Sequence, residues 1–566
     1  MKGEKMSFLK NKYVRLAASV AVWLLVELLL FYIFLPALNI RNVGFWIFML
    51  ISLTLLMLSL NLFLMQDRMV KVSKAPHGSN QFRVKLGDGR FAHVVAAVLA
   101  VIAAFIILML LFSSTVFNAR KYASVITVNE RDFATDMPRT NEVTNIALMD
   151  TESAMILGTR KLGELSDVVS QFAVSTSYVQ INYRGMPKKV APLEYDGFFK
   201  WLNNRKDGVP GYIMVDAVGN FAEYVRLADG EGIRYTDSAY FFKDLSRALR
   251  FAYPTKIFGN ISFEVNEDGK PFYVVSCLKP RVGLFGAKDV SEVILFDPVD
   301  GSHELIALAD VPRWVDIVYD GDLVCTKYNW HGTLAGGFFN SIIGNKGCKQ
   351  TTDDFGYLML DDDVWYFTGV TSVSEDASNI GFILSNARTG EYKYYAVNGA
   401  EEHSAMGAAE GEVQEKRYVA SFPALVNIAD EPTYIMVLKD DNGLVKLYAL
   451  VNVEQYNIVA TGETQASAIA AYKKLLEKLG VDTSGGAATA DVTATVDGVR
   501  FLPNGDGTTV YITATVAGGT PCIYKLEFTE ACEELLLLAA GDTVTMTVAP
   551  TDNARIFEII SYDLLQ

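Results

Sequence analysis

The sequence predicts three N-terminal transmembrane helices, an α+β extracytoplasmic region with antiparallel sheets, and a C-terminal OB-like β-barrel. Three observations predict this fold class: long apolar stretches confined to the first 118 residues, alternating helical and strand-like segments up to residue 481, and a small-residue linker followed by more strands. The predicted divisions are a membrane anchor at 1–118, a first α+β domain at 119–260, a repeated β-rich α+β region at 261–481, a linker at 482–490 and the barrel at 491–566.

Three apolar stretches, at 16–38, 43–65 and 91–117, are long enough to cross a membrane. A helix needs roughly 20 mostly apolar residues to span the hydrocarbon core. The first stretch is too long for a cleavable signal peptide, Glu27 interrupts it, and no small-residue cleavage site follows it. We therefore expect three membrane-spanning helices.

The distribution of basic residues predicts the orientation of these helices. Residues 1–118 hold 12 Lys and Arg against 4 Asp and Glu, whereas the rest of the chain holds 38 against 61. Five basic residues precede the first helix and six lie between the second and third, but only Arg41 lies between the first and second. Because positive residues stay on the cytoplasmic side, the sequence predicts a cell-membrane protein with a cytoplasmic N-terminus and an extracytoplasmic part after about residue 118.

Two polar residues fall inside the predicted membrane helices. Glu27 is either a proton relay or an interhelical contact, or else a protonated or snorkelling carboxyl in a helix bundle. Asn61 is typical of hydrogen bonding between membrane helices. The three stretches lack the paired Gly- or Pro-broken helices of secondary transporters, which argues against transport.

The region 261–481 contains two similar segments. The first reads PFYVVSCLK from Pro271, then GLF and EVILFDPVDG; the second reads PTYIMVLK from Pro432, then GLV and LYALVNVEQY. Each follows a helical stretch and a strand, as in an α+β unit whose helix covers one face of a sheet. The spacing differs by one residue, so a duplicated helix-plus-sheet module with a bulge and a chance similarity are both open.

The C-terminal region has the order of an OB-like barrel. Residues 482–490 are mostly Gly, Ala, Ser and Thr, as in a linker, and five strand-like segments follow with a short helix after the third. From 491 onward three basic residues stand against 11 acidic ones, which is the opposite of a nucleic-acid footprint. We therefore expect no nucleic-acid partner and a barrel that contacts protein.

Five cysteines are too few for a disulfide scaffold, and no CxxC motif is present. In an oxidising compartment Cys325 could pair with Cys348, and Cys522 with Cys532. Buried thiols are the alternative, because unpaired cysteine is commonly buried.

An acidic cluster near residue 360 offers weak calcium candidates, namely Asp361, Asp363 and Asp376. Hard carboxylate oxygens suit calcium. The spacing lacks the DxDxDG pattern and VWYF follows at once, so a charged turn that enters a strand is favoured. The sequence thus predicts no metal site with any specificity.

Motifs for catalysis are missing: HExxH, the P-loop and GxSxG are all absent, and the five histidines are scattered. Glu401 and Glu402 precede His403, which could suggest an acid/base pair. The start of a helix is favoured, because acidic residues suit a helix N-terminus. The sequence predicts no catalytic residue, no cofactor and no enzyme activity.

Several phrases, among them YPTKIFGNISFEV, LDDDVWYFTGVTSV and NIGFILSNARTGEYKYY, resemble an uncharacterised family of Gram-positive-type bacterial membrane proteins with a large extracytoplasmic part. The resemblance covers roughly 90–480. The repeated units are also similar, in pattern only, to PepSY-type domains, which are small α+β modules associated with restraining peptidases. The first resemblance implies no activity; the second implies regulation of a peptidase.

The leading functional hypothesis is a non-enzymatic, membrane-anchored scaffold or assembly module of a cell-envelope complex. The alternative is a PepSY-like regulator or inhibitor of an envelope peptidase or of a secreted-protein folding factor. An enzyme acting on envelope polymers ranks third and would need two facing carboxylates. The expected partners are membrane lipids, envelope or secreted proteins, and a second copy of the chain.

Overall fold

The computed structural model describes residues 12–64, 70–74, 82–86, 90–140, 146–373, 378–481, 483, 490–504, 507–516, 519–528, 530–550 and 555–565. These residues form two compact units. The larger unit comprises Met1–Pro138, Glu142–Asn427 and Glu431–Tyr472, and the smaller comprises Arg139–Asn141, Ile428–Asp430 and Lys473–Gln566. Most of the predicted linker at 482–490 lies outside the described residues.

Three apolar helices near the N-terminus are long enough to cross a membrane, over Tyr13–Phe34, Val43–Leu60 and His93–Ser113. They belong to the helices α1 Lys12–Phe34, α2 Val43–Leu64 and α3 Arg90–Ser113. Between α2 and α3 the strands β1 Val70–Lys74 and β2 Phe82–Leu86 pair antiparallel. The prediction of three membrane helices is thus supported by their length and composition.

Two helix boundaries differ from the prediction. The first helix ends at Phe34, before the expected residue 38, because Pro36 disfavours a helical conformation at Leu35, whose φ is +46°. The third ends at Ser113, and a separate helix α4 follows at Thr115–Ala123. The strand β3 Val128–Arg131 and the short helix α5 Phe133–Asp136 come next.

Four modules, each a helix with an antiparallel sheet, make up the rest of the larger unit. Module one consists of α6 Thr151–Gly163, β4 Phe172–Val174, β5 Val179–Tyr183, β6 Met186–Tyr195, α7 Phe198–Asn204, β7 Gly211–Asp216 and β8 Phe221–Arg226. Module two consists of α8 Leu245–Ala252, β9 Ile257–Val265, β10 Pro271–Val282, β11 Gly286–Phe296 and β12 His303–Ala307. In both sheets neighbouring strands pair antiparallel.

Modules three and four follow the same scheme. Module three consists of α9 Gly321–Leu334, β13 Lys349–Thr351, β14 Gly356–Leu360, β15 Asp363–Ser372, β16 Ser378–Asn379, β17 Gly381–Asn386 and β18 Tyr392–Tyr395. The strand β3 adds to it in parallel beside β18, and β19 Gly399–Ala400 pairs with β16. Module four consists of α10 Glu402–Glu412, β20 Val419–Ala420, β21 Ala424–Ile428, β22 Glu431–Lys439, β23 Val445–Asn452 and β24 Val459–Gly462, and α11 Gln465–Lys478 follows.

The sheet of module two is buried on both faces. Tyr273, Val275 and Cys277 of β10 enter a hydrophobic core shared with module one. Val274 and Val290 point the opposite way, into a core shared with module three. Successive residues of a strand alternate between faces, which explains why β10 reads as a continuous apolar run.

The two segments that the sequence identified as similar form the hairpins β10–β11 and β22–β23. In each hairpin the second strand carries one extra residue, Ser291 or Lys446, immediately before the residue that pairs with Cys277 or with Leu438. Cys277 and Leu438 each lie four residues after a tyrosine, Tyr273 or Tyr434. The two β-bulges therefore occupy the same position. The hairpin of module two then continues through more residue pairs, so the GLF and GLV phrases are not equivalent in register.

The end of α3 is bonded to the turn of the β10–β11 hairpin. Ser113 Oγ accepts hydrogen bonds from the backbone N–H groups of Leu284 (3.0 Å) and Phe285 (3.2 Å). The Tyr122 hydroxyl of α4 donates to the Ser113 carbonyl at 2.7 Å. A side chain at Gly283, whose φ is +58°, would collide with Ser113. The last membrane helix is thus fixed to module two.

The smaller unit contains the strands β25 Ala490–Asn504, β26 Gly507–Val516, β27 Cys522–Glu527, β28 Thr543–Pro550 and β29 Ile556–Leu565, with a 3-10 helix Glu530–Leu537 after the third. Each strand pairs with two neighbours: β25 with β26 and β28, β27 with β26 and β29, and β28 with β29. Val510, Ile512 and Met546 are among its buried residues. Its OB-like classification stays a prediction.

Candidate functional site

A cleft of about 730 Å³ lies on one face of strands β7 and β8 in module one. The cross-strand pairs that line it are Tyr212–Val225 and Met214–Glu223. Residues from two turns, at 268–271 and 297–300, form another wall. Ile213 on the opposite face belongs to the hydrophobic core, and so do the cleft-lining residues Tyr212 and Met214, so the floor of the cleft is well packed.

Hydrogen bonds fix the walls of the cleft. The Tyr212 hydroxyl donates to the Gly269 carbonyl at 2.9 Å. The Arg184 guanidinium donates from Nε and Nη2 to the Glu267 carbonyl at 3.0 and 2.8 Å, and it lies 4.9 Å from the centroid of the Tyr183 ring. These contacts join the end of β5 and the strand β7 to the β9–β10 turn, so the cleft is formed before any ligand arrives.

The lining of the cleft is acidic overall. It contains three basic residues, Arg184, Arg226 and Lys270, and five acidic ones, Glu223, Glu231, Asp268, Asp297 and Asp300. The Lys270 ammonium lies 2.6 Å from Asp297 Oδ2, and that hydrogen bond raises the pKa of Lys270. The hydrogen bond from the Ser302 backbone N–H lowers the pKa of Asp300. Because acidic residues outnumber basic ones in the lining, the cleft suits a cationic ligand.

The side chains of the cleft can bind ions and polar groups. Its lining holds carboxylates, basic side chains and tyrosine hydroxyls, and no Ser, Cys or His that could serve as nucleophile or base. Burial raises the pKa of Tyr212, which keeps its phenol protonated. Throughout the described residues no group of three His, Cys, Asp or Glu side chains is arranged to hold a metal ion.

No protein-family model matches this chain, and no curated protein matches it. The assignment of the cleft as a candidate site therefore depends on its geometry and its charge.

Two of the three calcium candidates, Asp361 and Asp363, lie in the described β14–β15 hairpin. Asp361 adopts a positive φ in the tight turn between β14 and β15. The Asp363 carboxylate accepts two hydrogen bonds from the Arg388 guanidinium, at 2.8 and 2.6 Å, and one from Asn386 Nδ2 at 2.9 Å. Asp376 lies outside the described residues. The carboxylate oxygens of Asp363 are thus occupied by neighbouring side chains.

The acidic run before His403 begins helix α10. Glu401 is the N-cap, and its carboxylate accepts from the backbone N–H groups of Ser404 and His403. Glu402 is fully buried, accepts from the Gly369 backbone N–H at 2.6 Å, and keeps Oε2 without a hydrogen-bond partner. Burial raises the pKa of Glu402. No pattern in the sequence indicated that Glu402 would be buried against module three.

The four cysteines considered for disulfides are thiols in the structure. Cys348 Sγ lies 3.4 Å from the Thr333 carbonyl oxygen, to which it donates. Burial raises the pKa of Cys325 to about 12. Neither Cys325–Cys348 nor Cys522–Cys532 is bonded, so the buried-thiol alternative describes Cys348 and Cys532.

The two polar residues of the membrane helices lie outside the cleft. Glu27 is half-buried on α1, and its Oε2 has no hydrogen-bond partner. Asn61 belongs to α2, but its side chain is outside the described part. The described contacts between α1 and α2 use serines instead: Ser59 Oγ donates to the Ser19 carbonyl at 2.7 Å.

A buried polar cluster that sequence reasoning missed lies where modules one, two and three meet. Glu264 on β9 is fully buried and accepts hydrogen bonds from Ser262 Oγ (2.7 Å) and from the backbone N–H groups of Asp316 (2.7 Å) and Ile317 (3.2 Å). Asp316, 2% exposed, accepts from the Asn182 backbone N–H at 2.7 Å. Burial raises the pKa of Glu264 to about 7, and burial together with the Glu264 carboxylate raises that of Asp316.

Proposed function

We propose that this chain is a non-enzymatic, membrane-anchored extracytoplasmic scaffold of a cell-envelope complex, and that its cleft binds an extended basic segment of a partner protein. The observation that carries the proposal is the acidic cleft on the rigid β7–β8 face. A pre-formed binding site loses less conformational entropy when a ligand binds. The five carboxylates of the lining are the groups that would bind a basic segment.

The position of β8 supports an extended ligand. β8 is the last strand of its sheet, after β6 and β7. An edge strand can accept another strand through main-chain hydrogen bonds, while pockets beside it select side chains. Glu223 and Val225 of β8 line the cleft directly, so a bound strand would place alternate side chains against acidic groups.

Charge reversal in the cleft should weaken the binding of a basic peptide. Each exposed ion pair contributes about 0.2–1 kcal/mol, so the double variant Glu223→Lys/Glu231→Lys should raise the Kd of a lysine-rich probe peptide roughly tenfold. Fluorescence anisotropy on the full chain in detergent measures this. The matched control is Glu412→Lys, an exposed glutamate of module four.

A photo-crosslinking residue placed at Val225 should capture a discrete partner in intact cells, and one placed at Tyr456, in the β23–β24 loop, should not. The double charge reversal should abolish the Val225 product. If the double variant and Glu412→Lys bind the peptide equally, and the crosslinked product persists, the cleft is not the binding site.

The proposed orientation puts the β1–β2 loop in the cytoplasm and the four modules outside. In a chain whose native cysteines are replaced, a cysteine at Gln414, an exposed position after α10, should react with a membrane-impermeant thiol reagent in whole cells. A cysteine at Ser73 should react only after the cells are permeabilised, because positively charged loops stay inside. Labelling of residue 73 in intact cells would reverse the orientation.

A second candidate is regulation of an envelope peptidase by PepSY-like modules. The observation that favours it is the matching bulge in the hairpins of modules two and four, each of which follows a helix and at least one strand. Under this alternative the partner captured at Val225 is a peptidase, and adding the purified chain lowers its turnover of a peptide substrate. A captured partner without peptidase activity would favour the scaffold.

A further inference from the structure

Module one and the start of module two carry an aromatic patch. We define it as Phe198, Phe199 and Leu202 of α7, Phe241 and Phe242 in the turn before α8, and Phe251 of α8. Their exposures range from 38% at Phe198 to 76% at Phe199. Contiguous exposed apolar surface of this kind marks an interaction site.

The aromatic patch is continuous with the end of membrane helix α1. The Phe251 ring lies 5.7 Å from that of Phe31, and the Phe242 ring lies 5.7 Å from that of Tyr32. Phe31 and Tyr32 belong to the apolar span Tyr13–Phe34. Rings in contact with this span lie at the depth where it leaves the hydrocarbon.

Hydrogen bonds hold the patch in this place. The Leu38 backbone N–H donates to the Pro254 carbonyl at 2.7 Å, and Asn39 Nδ2 donates to the Thr255 carbonyl at 2.9 Å. The Arg250 guanidinium, only 7% exposed, donates from Nε to the Leu35 carbonyl at 3.0 Å. The segment after α1 and the end of α8 are therefore joined at several points, and the patch cannot swing away from the helix.

The backbone at Phe241 adopts a strained conformation, although the side chain is largely exposed. Its φ is +57°, a left-handed conformation that costs a non-glycine residue roughly 1–2 kcal/mol. Phe241 is nevertheless 56% exposed, so the strain is not offset by complete burial of the ring. Immersion of the ring in an apolar medium would offset it.

Basic residues accompany the aromatic ones. Lys200 stands beside Phe199 in α7 and pairs with Asp196, and Lys243 follows Phe242. The Arg247 guanidinium lies 4.7 Å from the Tyr32 ring centroid at the end of α1 and 3.1 Å from Asp244. Aromatic and basic side chains together are typical of segments that lie in a membrane interface.

We propose that the aromatic patch inserts into the lipid interface of the membrane that α1 spans, on the side where α1 ends at Phe34. Its occupant is lipid: acyl chains against the phenylalanines and anionic headgroups against the lysines and Arg247. The inference stands apart from the cleft and holds for either orientation of the chain.

Spin labels test the depth of the patch. In a cysteine-free full chain in nanodiscs of phosphatidylcholine and phosphatidylglycerol, a label is attached in turn at Phe199, Phe242, Leu25 and Tyr456. Labels at 199 and 242 should be reached by oxygen but shielded from a water-soluble nickel complex, at a depth of about 5–10 Å below the phosphates. Residue 25, in the middle of α1, is the control for the membrane core. Residue 456, 56% exposed in module four, is the aqueous control.

A second measurement uses the native chain and needs no substitution. A photoactivatable phosphatidylcholine in the same nanodiscs should label peptides that contain Phe199 and Phe242, and should leave the peptide with Tyr456 unlabelled. Nickel access at 199 and 242 equal to that at 456 would overturn the proposal. Shielding from both oxygen and nickel, without lipid labelling, would instead show that a second copy or another protein covers the patch.

Discussion

The larger unit should lose about 3 kcal/mol of stability as the pH rises from about 5 to about 8, because Glu264 is buried with a pKa of about 7. In the unfolded chain this carboxyl titrates near its ordinary value of 4.5. Between these two values the folded state retains a proton that the unfolded state has released. The stabilising contribution of Glu264 is therefore fully present below about pH 4.5 and is lost as the pH rises through about 7.

Carboxylates in ion pairs change the stability of the fold in a different range of pH. Burial raises the pKa of Asp216, but hydrogen bonds from Lys188 and from the Gly219 backbone N–H outweigh this effect and lower that pKa overall. Such a group stabilises the fold above its unfolded value of 3.8, and this contribution is lost as the pH falls below it. A decline in stability above pH 4.5 thus reports carboxyl groups whose pKa burial raises, among them Glu264, Asp316 and Glu402.

The substitution Glu264→Gln should flatten this pH dependence. Its amide group would face the Asp316 backbone N–H with a donor, so the variant should be less stable than the native chain at acid pH by about 1–3 kcal/mol. The two proteins should converge as the pH approaches 8. Thermal denaturation in detergent at several pH values measures both effects, with Glu412→Gln as the exposed control. An unchanged slope in Glu264→Gln would contradict the assignment.

The substitution Lys327→Met should destabilise the larger unit by about 3–5 kcal/mol, because it leaves a buried carboxylate without its main partner. Lys327 is 3% exposed, and its Nζ lies 2.7 Å from Asp289 Oδ1. The ring centroids of Tyr319 and Tyr392 lie 4.5 and 5.7 Å from the same Nζ. After the substitution Asp289 would keep only Arg281, at 3.7 Å, as a cationic neighbour.

A surface pair provides the matched control for this prediction. Lys161 and Glu164 lie 2.8 Å apart on α6 with largely exposed side chains, so Lys161→Met should cost less than about 0.5 kcal/mol. The double variant Lys327→Met/Asp289→Leu should recover most of the loss, since an apolar pair leaves no unpaired charge. Equal melting temperatures for Lys327→Met and Lys161→Met would show that the buried pair is not stabilising.

Local sequence patterns predicted the helices and strands better than they predicted which residues pack around each of them. The strands β5 and β7 and the helix α7 belong to the alternating helical and strand-like segments expected up to residue 481. Apolar length alone identified the three N-terminal helices. The end of α1 was misplaced because the effect of Pro36 on Leu35 was not weighed. The charge of the cleft also escaped prediction, since its acidic groups come from β8, the β9–β10 turn and the turn after β11.

The sequence by itself determined what depends on neighbouring residues: apolar helices, antiparallel strands, turns, and the N-cap at Glu401. Only the tertiary structure decided which faces of the helices and strands are exposed to solvent. The phrase ISFEV alternates as a strand with one solvated face would, yet the segment at 315–319 covers the Ser262 and Glu264 side. Phe198 and Phe199 are large apolar residues, yet 38% and 76% of their surfaces are exposed. Burial depends on segments far apart in the chain, and the alternation of a single strand carries no information about what packs against each face.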